Sequence, residues 1–394
     1  MLWNNQFPGP LIRANWGDQI QVTVNNNMQS NGTGVHWHGV RMFGTCPMDG
    51  VGGVTECPVA PGHSTVYSFQ ATQIGVSWYH SHHSVQYGDG LLGPMIIDGP
   101  TSANYDIDLG PMVMSDYYYT TATRGDLQYL AFLNDPTFAT PGPVPDNLLL
   151  NGTNMNAAQT SGKYLKVALT KGKRHLLRLI NASVDQAMTV SLDGHQLTII
   201  TSDFVPVKPL TVDSLMINIG QRYEVIINAN AAPGNYWFRS QCNTACVSSN
   251  NNPNGGLAIF TYSGVKAATP TTTSNATDPG CNEPSPLTPW VPNTVGSSAD
   301  FIQQAKDLDV AFPAVGVSSN GQNILQWGIN ASALDIQWEK PIMTYLLENN
   351  NSWPSTENLI EIPNEGVWTF WVLQLVLAPT TNTAKSIPIT NFIR

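Results

Sequence analysis

The chain has 394 residues, enough for two or three domains, and only 11% of them are charged. Its formal net charge of −10 argues against nucleic-acid binding, because no basic patch could neutralise phosphates. A membrane span is not expected, since no segment approaches ~20 uninterrupted apolar residues; the nearest run, Val367 to Leu377, is typical of a buried strand.

Several features indicate a secreted, extracellular protein. Neutral polar residues are plentiful, and six Asn-x-Ser/Thr sequons in a lysine-poor chain favour the secretory route. Five cysteines fit an oxidising compartment, and their odd number leaves at least one unpaired. Met1 leads directly into a turn-and-strand pattern, so we expect a leader that was removed or a sequence that starts late. The predicted glycosylation sites are Asn31, Asn151, Asn181, Asn275, Asn330 and Asn350.

Short alternating runs bounded by Gly, Pro and Asn dominate the chain, and helical periodicity is nearly absent. One unit, a strand, a glycine turn and a second strand, recurs at Leu11 to Asn25, Leu165 to Asn181 and Leu359 to Val372. The repeat predicts an all-β protein of consecutive sandwich domains, although glycine turns common to all sandwiches would also produce it. The predicted division is domain 1 at 1–100, domain 2 at 101–266, a Thr/Pro-rich linker at 267–289 and a partial domain 3 at 290–394.

Two His-x-His motifs in the first domain, His36-Trp37-His38 and His80-Ser81-His82, carry the most chemical information. Residues i and i+2 of a strand face the same way, so each motif presents two imidazoles on one side. Two such strands together surround a small volume with four nitrogens. A single histidine is usually a buried structural residue, but four in paired motifs predict a metal site, and imidazole suits copper, zinc, iron and nickel alike. The lone His63, His175 and His195 are interpreted as structural or solvated.

The residues around these motifs resemble the first domain of fungal laccases, particularly the ascomycete type. The resemblance rests on Gly34-Val35-His36-Trp37-His38-Gly39, Met48-Asp49-Gly50, Val54-Thr55-Glu56-Cys57-Pro58 and Ser77-Trp78-Tyr79-His80-Ser81-His82, with Gly220-Gln221-Arg222-Tyr223 as a later match. It runs from residue 1 to about Leu373. It implies cupredoxin-like Greek-key domains and four coppers, which take single electrons from phenols and reduce O2 to water.

The resemblance also implies roles for individual residues. It makes His36 a type 2 copper ligand and His38, His80 and His82 ligands of the type 3 pair, while Asp49 matches a carboxylate that helps to deliver protons. Asp203 matches the acidic residue that lies against the phenolic hydroxyl, although a solvated loop Asp would look the same. Trp327 resembles an aromatic residue lining that pocket. Cys246 and Cys281 correspond to a family disulfide, whereas Cys57 lacks its C-terminal partner and Cys46 and Cys242 match none.

The chain departs from the family pattern near its C-terminus. The third copy of the repeat places Lys385 where the first copy has His36, no histidine follows His195 and no cysteine follows Cys281. A blue copper site needs two histidines and a cysteine, so the type 1 ligands and half of the trinuclear ligands are not among these residues. We interpret Leu377 to Arg394 as an unrelated tail, from a retained intron, a frameshift or an alternative transcript, and expect the chain as written to be inactive or impaired.

Three functions follow from these observations. The first is a laccase-family multicopper oxidase that acts on phenols and O2. The second is a non-catalytic copper-binding homologue that associates with another laccase chain. The third is a related oxidase with another electron donor, ascorbate or ferrous iron. The sequence does not select among lignin, pigment precursors and plant phenolics as the natural substrate.

Overall fold

The computed structural model is almost entirely β-structure, and it confirms the all-β prediction. It describes residues 1–134, 144–246, 248–274, 276–294, 296–297, 305–317, 321–329, 332–360, 369–376 and 389–393. The chain divides into two compact units. The first consists of Met1–Val51, Pro58–Arg124 and Pro143–Pro292, and the second of Gly52–Cys57, Gly125–Gly142 and Asn293–Arg394. Among the described residues, none of the helices has the length and apolar character needed to cross a membrane.

The first unit begins with a β-sandwich that carries the histidine motifs. Its strands are β1 (Ile12–Asn15), β2 (Gln19–Asn25), β3 (His36–Trp37), β4 (Ser64–Gln70), β5 (Gly75–His80) and β6 (Leu92–Asp98). They form a sheet in the order β1-β6-β5-β3 and a separate β2–β4 pair. Trp37, Phe69 and Met95 are fully buried between the two sheets. Burial of each such side chain stabilises the fold by roughly 1.5–3 kcal/mol.

A second, larger sandwich completes the first unit. Its strands are β7 (Ile107–Tyr117), β8 (Asn147–Leu150), β9 (Leu165–Leu169), β10 (Arg174–Asn181), β11 (Met188–Leu192), β12 (Leu197–Ser202), β13 (Val205–Val212), β14 (Leu215–Ile217), β15 (Arg222–Asn228), β16 (Asn235–Cys242) and β17 (Gly256–Tyr262). Two sheets, β13-β12-β15-β10-β7-β8 and β14-β11-β16-β17-β9, enclose one apolar core. Sheet neighbours are often distant along the chain, as in Greek-key connections.

The first two copies of the predicted repeat are confirmed as strand–turn–strand units. Strands β1 and β2 flank Gly17, and β9 and β10 flank Gly172. Both glycines have positive φ, +93° and +77°, which side-chain-bearing residues rarely adopt. The third copy lies largely outside the described residues, and so does Lys385.

The two sandwiches of the first unit meet through an apolar cluster and a charged one. Trp78 and Ile96 of the first sandwich pack against Val113 and Ile180 of the second. Beside them, the buried Arg178 forms ion pairs with Glu224 and with Asp108 and Asp98, the last two at 3.1 and 3.5 Å. The side of the first sandwich that bears Trp78 is therefore held firmly against β7 and β10.

The described residues of the second unit include a four-stranded sheet in the order β19-β18-β20-β21. Its strands are β18 (Ala305–Val317), β19 (Asn323–Ile329), β20 (Thr369–Val376) and β21 (Ile389–Ile393). The strand expected near Val367 to Leu377 is β20, and part of the predicted tail forms β21.

Short 3-10 helices cover Cys46–Met48, Thr244–Cys246 and Ser355–Glu357.

The described part of the chain contains two α-helices, α1 (Ala122–Asn134) and α2 (Ile342–Leu347), and neither was predicted from the sequence. The first turn of α1 is capped from elsewhere in the chain. The Asp89 carboxylate accepts hydrogen bonds from the amides of Ala122 at 2.5 Å and Thr123 at 3.3 Å. A carboxylate at a helix N-terminus satisfies free amides and the helix dipole. Thr121, directly before the helix, adds a local cap, since its hydroxyl accepts from the amide of Arg124 at 3.2 Å.

The predicted linker 267–289 is attached to the second sandwich at several separate points. Thr272 Oγ1 donates to Asp193 at 2.6 Å, and the amide of Lys208 donates to the carbonyl of Thr288 at 2.8 Å. Cys281 is joined to Cys246 by a disulfide. The segment has the composition of a flexible linker but follows the surface of the sandwich.

Candidate metal centre

The two His-x-His motifs lie on adjacent antiparallel strands. In the register between β3 and β5, His36 is opposite His80 and Trp37 is opposite Tyr79. The amide of His38 donates to the carbonyl of Trp78 at 3.0 Å, which extends the pairing beyond β3. Strand pairing therefore brings together the four imidazoles that alternation had placed on one side of each strand.

The ring nitrogens of three histidines converge. One nitrogen from each of His36, His38 and His80 lies within 4.8 Å of the others. The ring of His82 lies at the exposed edge of this group, with its centroid 5.5 Å from that of His36 and 5.9 Å from that of His80. We call these four residues the histidine cluster.

Hydrogen bonds fix two of the rings so that one nitrogen remains available. His80 Nδ1 lies 3.0 Å from the carbonyl oxygen of Ser81, and His36 Nδ1 lies 3.0 Å from the carbonyl oxygen of Asp49. A ring that donates from Nδ1 keeps its Nε2 lone pair for a metal. Nε2 of His80 faces Nδ1 of His38 at 3.2 Å. Two nitrogens that face each other so closely suit a shared cation.

Burial keeps the inner imidazoles neutral, which is the form that binds metals. Burial, together with the charge of Arg222, lowers the pKa of His38 to about 2, and burial lowers the pKa of His80 to about 3. Trp78 stacks on both rings, with centroid distances of 4.8 Å to His38 and 4.2 Å to His80. A set of neutral, pre-oriented imidazole nitrogens fits copper, although these donors alone do not distinguish it from zinc, iron or nickel.

Asp49 lies beside the histidine cluster. Its Oδ1 is 3.3 Å from His36 Nδ1, in addition to the carbonyl contact, and its side chain is 27% exposed. The carboxylate is therefore in contact with both solvent and a ring of the cluster. A group so placed is able to take up a proton from water and hold it near the histidines.

Asp203 lies in the tight turn between β12 and β13. Asp203 and Phe204 both have positive φ, +47° and +67°, as the central residues of a two-residue hairpin with primed-turn geometry. The side chain of Asp203 is 40% exposed, and its Oδ1 lies 2.8 Å from Nη1 of the buried Arg222. Asp203 is thus a fixed, partly exposed carboxylate.

Arg222 is the functional candidate that the sequence analysis did not identify. It lies in the Gly220-Gln221-Arg222-Tyr223 segment, which was noted only as a family match. A side chain at Gly39 would collide with its guanidinium, so Arg222 packs directly behind His38. Its position beside the first sandwich depends on strand packing across the unit, which no local pattern reveals.

The remaining predicted site residues lie away from the histidine cluster or outside the described side chains. Trp327 lies in β19, but the structure does not describe its side chain. Cys46, Cys57 and Cys242 are free thiols. His63 is exposed, His175 Nε2 accepts from the amide of Thr170 at 3.0 Å, and His195 Nε2 lies 2.8 Å from the Tyr262 hydroxyl. These contacts agree with structural or solvated histidines.

The sequons differ in accessibility, and one prediction needs correction. Asn181 is fully buried, and its amide donates to the carbonyls of Gln186 and Ile217 at 2.8 and 3.0 Å, so the folded chain leaves no room for a glycan there. Asn151 is half-buried, with its side chain bonded to Val113 and Pro111. Asn31 is exposed and Asn350 is half-buried. Asn275 and Asn330 lie outside the described residues.

Family models, sequence relatives and solved structures all match this chain to multicopper oxidases. Two family models described as multicopper oxidase match residues 1–102 and 108–265. Laccase-3 of Botryotinia fuckeliana is 48% identical over 94% of this chain and 79% of its own length. The laccases of Cryphonectria parasitica and Neurospora crassa are 44% and 40% identical over 95% of this chain, which spans only 61% and 58% of their lengths.

Solved structures agree with the sequence relatives. The laccase from Botrytis aclada superposes with a TM-score of 0.83 at 37% identity, over 95% of this chain and 67% of that one. Fet3p, a multicopper oxidase that functions in iron import, superposes with a TM-score of 0.74 at 26% identity, over 94% of this chain and 68% of that one.

Proposed function

The chain belongs to the multicopper oxidase family, with fungal laccases as relatives, and on this premise we propose that it serves the one-electron oxidation of phenols coupled to the reduction of O2. Four phenols, each giving one electron and one proton, balance one O2 reduced to two waters. The observation that carries the proposal is the convergence of His36, His38 and His80 within 4.8 Å.

Each histidine has a proposed role as a copper ligand. His36 would bind a type 2 copper, and His38, His80 and His82 would bind the type 3 pair. Copper, when bound, supplies the one-electron exchange between phenol and O2 that no protein side chain provides. The chain's own contribution is to keep the imidazoles of His38 and His80 neutral by burial and to fix the rings of His80 and His36 through the carbonyls of Ser81 and Asp49.

Two carboxylates have proposed roles in proton transfer. O2 reduction consumes protons, and Asp49 would hold one beside His36 after taking it from solvent. Oxidation of a phenol releases a proton, and Asp203, partly exposed and fixed by Arg222, would accept it. The proposal extends to Trp327 of β19, which the family resemblance assigns to phenol binding.

Secretion and glycosylation are also proposed. The disulfide between Cys246 and Cys281 and the exposed sequon at Asn31 support an oxidising, extracellular location. We exclude Asn181 as a glycosylation site, because its side chain is buried.

Copper content per chain tests the proposed site. We expect the 394-residue protein to bind copper and the double variant His38→Ala/His80→Ala to lose it, as measured by elemental analysis after removal of loosely bound metal. His63→Ala is the matched control, because His63 is exposed and its ring lies against the nearby carbonyl of Pro61, 3.0 Å from Nδ1. Equal copper in the double variant and the control would contradict the proposal.

A second candidate function is copper binding without turnover. One observation favours it: these 394 residues contain no histidine after His195 and no cysteine after Cys281, so they do not supply a type 1 site. Oxygen consumption by the copper-loaded chain with a phenol, alone and with an intact fungal laccase added, separates the two functions. Turnover by the chain alone would exclude the second candidate. Ferrous iron and ascorbate in the same assay test the other electron donors.

A further inference from the structure

Arg222 is a buried cation, and among the residues that the structure describes it forms an ion pair with the carboxylate of Asp203. The residue is 4% exposed. Its Nη1 lies 2.8 Å from Asp203 Oδ1 and donates to the carbonyl of Gly220 at 3.1 Å, while Nε donates to the carbonyl of Val76 at 3.5 Å. A buried guanidinium needs such partners, because an unpaired charge is costly to bury. Asp203 therefore balances the charge of Arg222.

The same contacts fix the turn that carries Asp203. The amide of Arg222 donates to Asp203 Oδ1 at 2.9 Å, and its guanidinium lies 5.2 Å from the ring centroid of Phe204. Both turn residues have left-handed backbone, which costs roughly 1–2 kcal/mol for each. Arg222 thus stabilises the conformation that presents the free side of the Asp203 carboxylate to solvent.

On its other side Arg222 lies against the histidine cluster. Gly39, next to His38, has φ of +74°, and a side chain there would collide with the guanidinium. A Cβ on Gly220 would lie 3.0 Å from Cε1 and Nε2 of His38. Gly39 and Gly220 thus bring the Arg222 segment close to His38. Because the guanidinium is buried, solvent screens its charge at His38 only weakly when Asp203 does not balance it.

We propose that Arg222 is a positioning residue that links Asp203 to the histidine cluster, so that loss of the Asp203 charge weakens copper binding at His38. With Asp203 ionised, the pair presents almost no net charge to the cluster. With Asp203 neutral, one positive charge faces the copper ligands and repels the metal. The inference rests on the proposed function, since it takes copper as the ion that the cluster binds.

Copper affinity in a double-mutant cycle tests the link. The 394-residue protein and its variants are titrated with copper against a chromophoric chelator. We expect Asp203→Asn to weaken binding roughly threefold to tenfold, and the same substitution in an Arg222→Met background to have no further effect. In an Arg222→Lys background, which keeps the charge, the loss should persist. Asp213→Asn, which removes an exposed acidic group bonded to Gln196, should leave affinity unchanged.

A measurement without copper separates this inference from the proposed function. In protein labelled at histidine Cε1, we expect Asp203→Asn to shift the His38 resonance, but not when Arg222 is Met. If this shift occurs and the chain binds no copper, the link stands and the proposed function fails. If copper binds but Asp203→Asn changes neither the affinity nor the resonance, the link is wrong. An equal effect of Asp203→Asn with and without Arg222 would also overturn it.

Discussion

Gly39 and Gly17 share a backbone conformation but differ in what surrounds them. Their φ values are +74° and +93°, in the left-handed region that disfavours a side chain. A Cβ on Gly17 would meet nothing within 4 Å, whereas one on Gly39 would collide with Arg222. Alanine substitutions at the two positions therefore distinguish the cost of backbone strain from the cost of disturbed packing between the two sandwiches.

We predict that Gly39→Ala destabilises the chain more than Gly17→Ala. The strain common to both costs about 1 kcal/mol, and displacement of the guanidinium at Gly39 adds roughly 1–3 kcal/mol. Urea unfolding of the two variants measures the difference. Gly39→Ala should also weaken copper binding, because His38 is its neighbour. Equal unfolding free energies would show that Arg222 moves aside at no cost.

At the residue scale, the sequence predicted that the histidines face a common side but not that Arg222 lies behind them. Strand alternation predicted a common direction for His36 and His38, and the register of β3 and β5 shows the second motif directly alongside. No sequence pattern predicted the position of Arg222, because its partners Asp203 and Val76 come from different sandwiches. Local patterns encode which way a side chain points, while the contacts behind it depend on packing between distant segments.

Four strands of the first unit meet at one buried ion-pair network. Arg178 of β10 lies opposite Glu224 of β15 in the sheet register and also pairs with Asp108 of β7 and Asp98 of β6. Arg13 of β1 joins from the exposed side, 2.6 Å from Asp98. The network spans both sandwiches and so contributes to the packing that holds Trp78 beside the histidines.

Glu224→Ala should destabilise the chain by about 3 kcal/mol, because it leaves part of the buried Arg178 charge without its partner. Arg13→Ala is the matched control. It removes a member of the same network whose side chain is 45% exposed, and an exposed pair contributes about 0–1 kcal/mol. Denaturant unfolding of both variants checks the contrast. A loss below 1 kcal/mol in Glu224→Ala would mean that Asp108 and Asp98 suffice for Arg178.

The network also predicts how stability depends on pH. Burial alone would raise the pKa of Asp108, but hydrogen bonds and charge from Arg178 hold that pKa below its ordinary value of 3.8. A carboxyl group with a lowered pKa stabilises the fold above its unfolded pKa, and this contribution is lost as pH falls through the folded pKa. The unfolding free energy should therefore decrease below about pH 4. Asp108→Asn should show a smaller decrease than Asp213→Asn in denaturant unfolding at several pH values.

The element scale shows where sequence patterns succeed and where they fail. Alternating strands with glycine turns predicted an all-β sandwich protein, which the structure confirms. The cupredoxin-like fold was implied by the family resemblance, and the superposition on fungal laccase confirms it. Helix α1 was missed although Thr121 caps it locally, and only its second capping residue, Asp89, is distant in sequence. The linker was predicted from composition alone, and composition does not show that Thr272 and Cys281 bind it to the second sandwich.

At the scale of the whole molecule, all four histidines of the cluster belong to the first unit. A ligand that binds only the native form of a unit slows its opening, by roughly 100-fold when the free ligand is at 100 times its dissociation constant. Copper should therefore protect the first unit selectively. Amides of β5 and of neighbouring β6 and β15 are the best reporters, since these strands lie around His80 and Arg222.

Hydrogen exchange followed by mass spectrometry, with and without copper, measures this selectivity. We expect slower exchange in peptides covering Gly75–His80 and Leu92–Asp98, and no change in α2 of the second unit, Ile342–Leu347. The variant His38→Ala/His80→Ala should lose the effect, since it keeps both strands but lacks two of the ligand nitrogens. Slowing of α2 to the same degree as β5 would contradict the prediction, because it would mean that copper stabilises the chain through residues outside the histidine cluster.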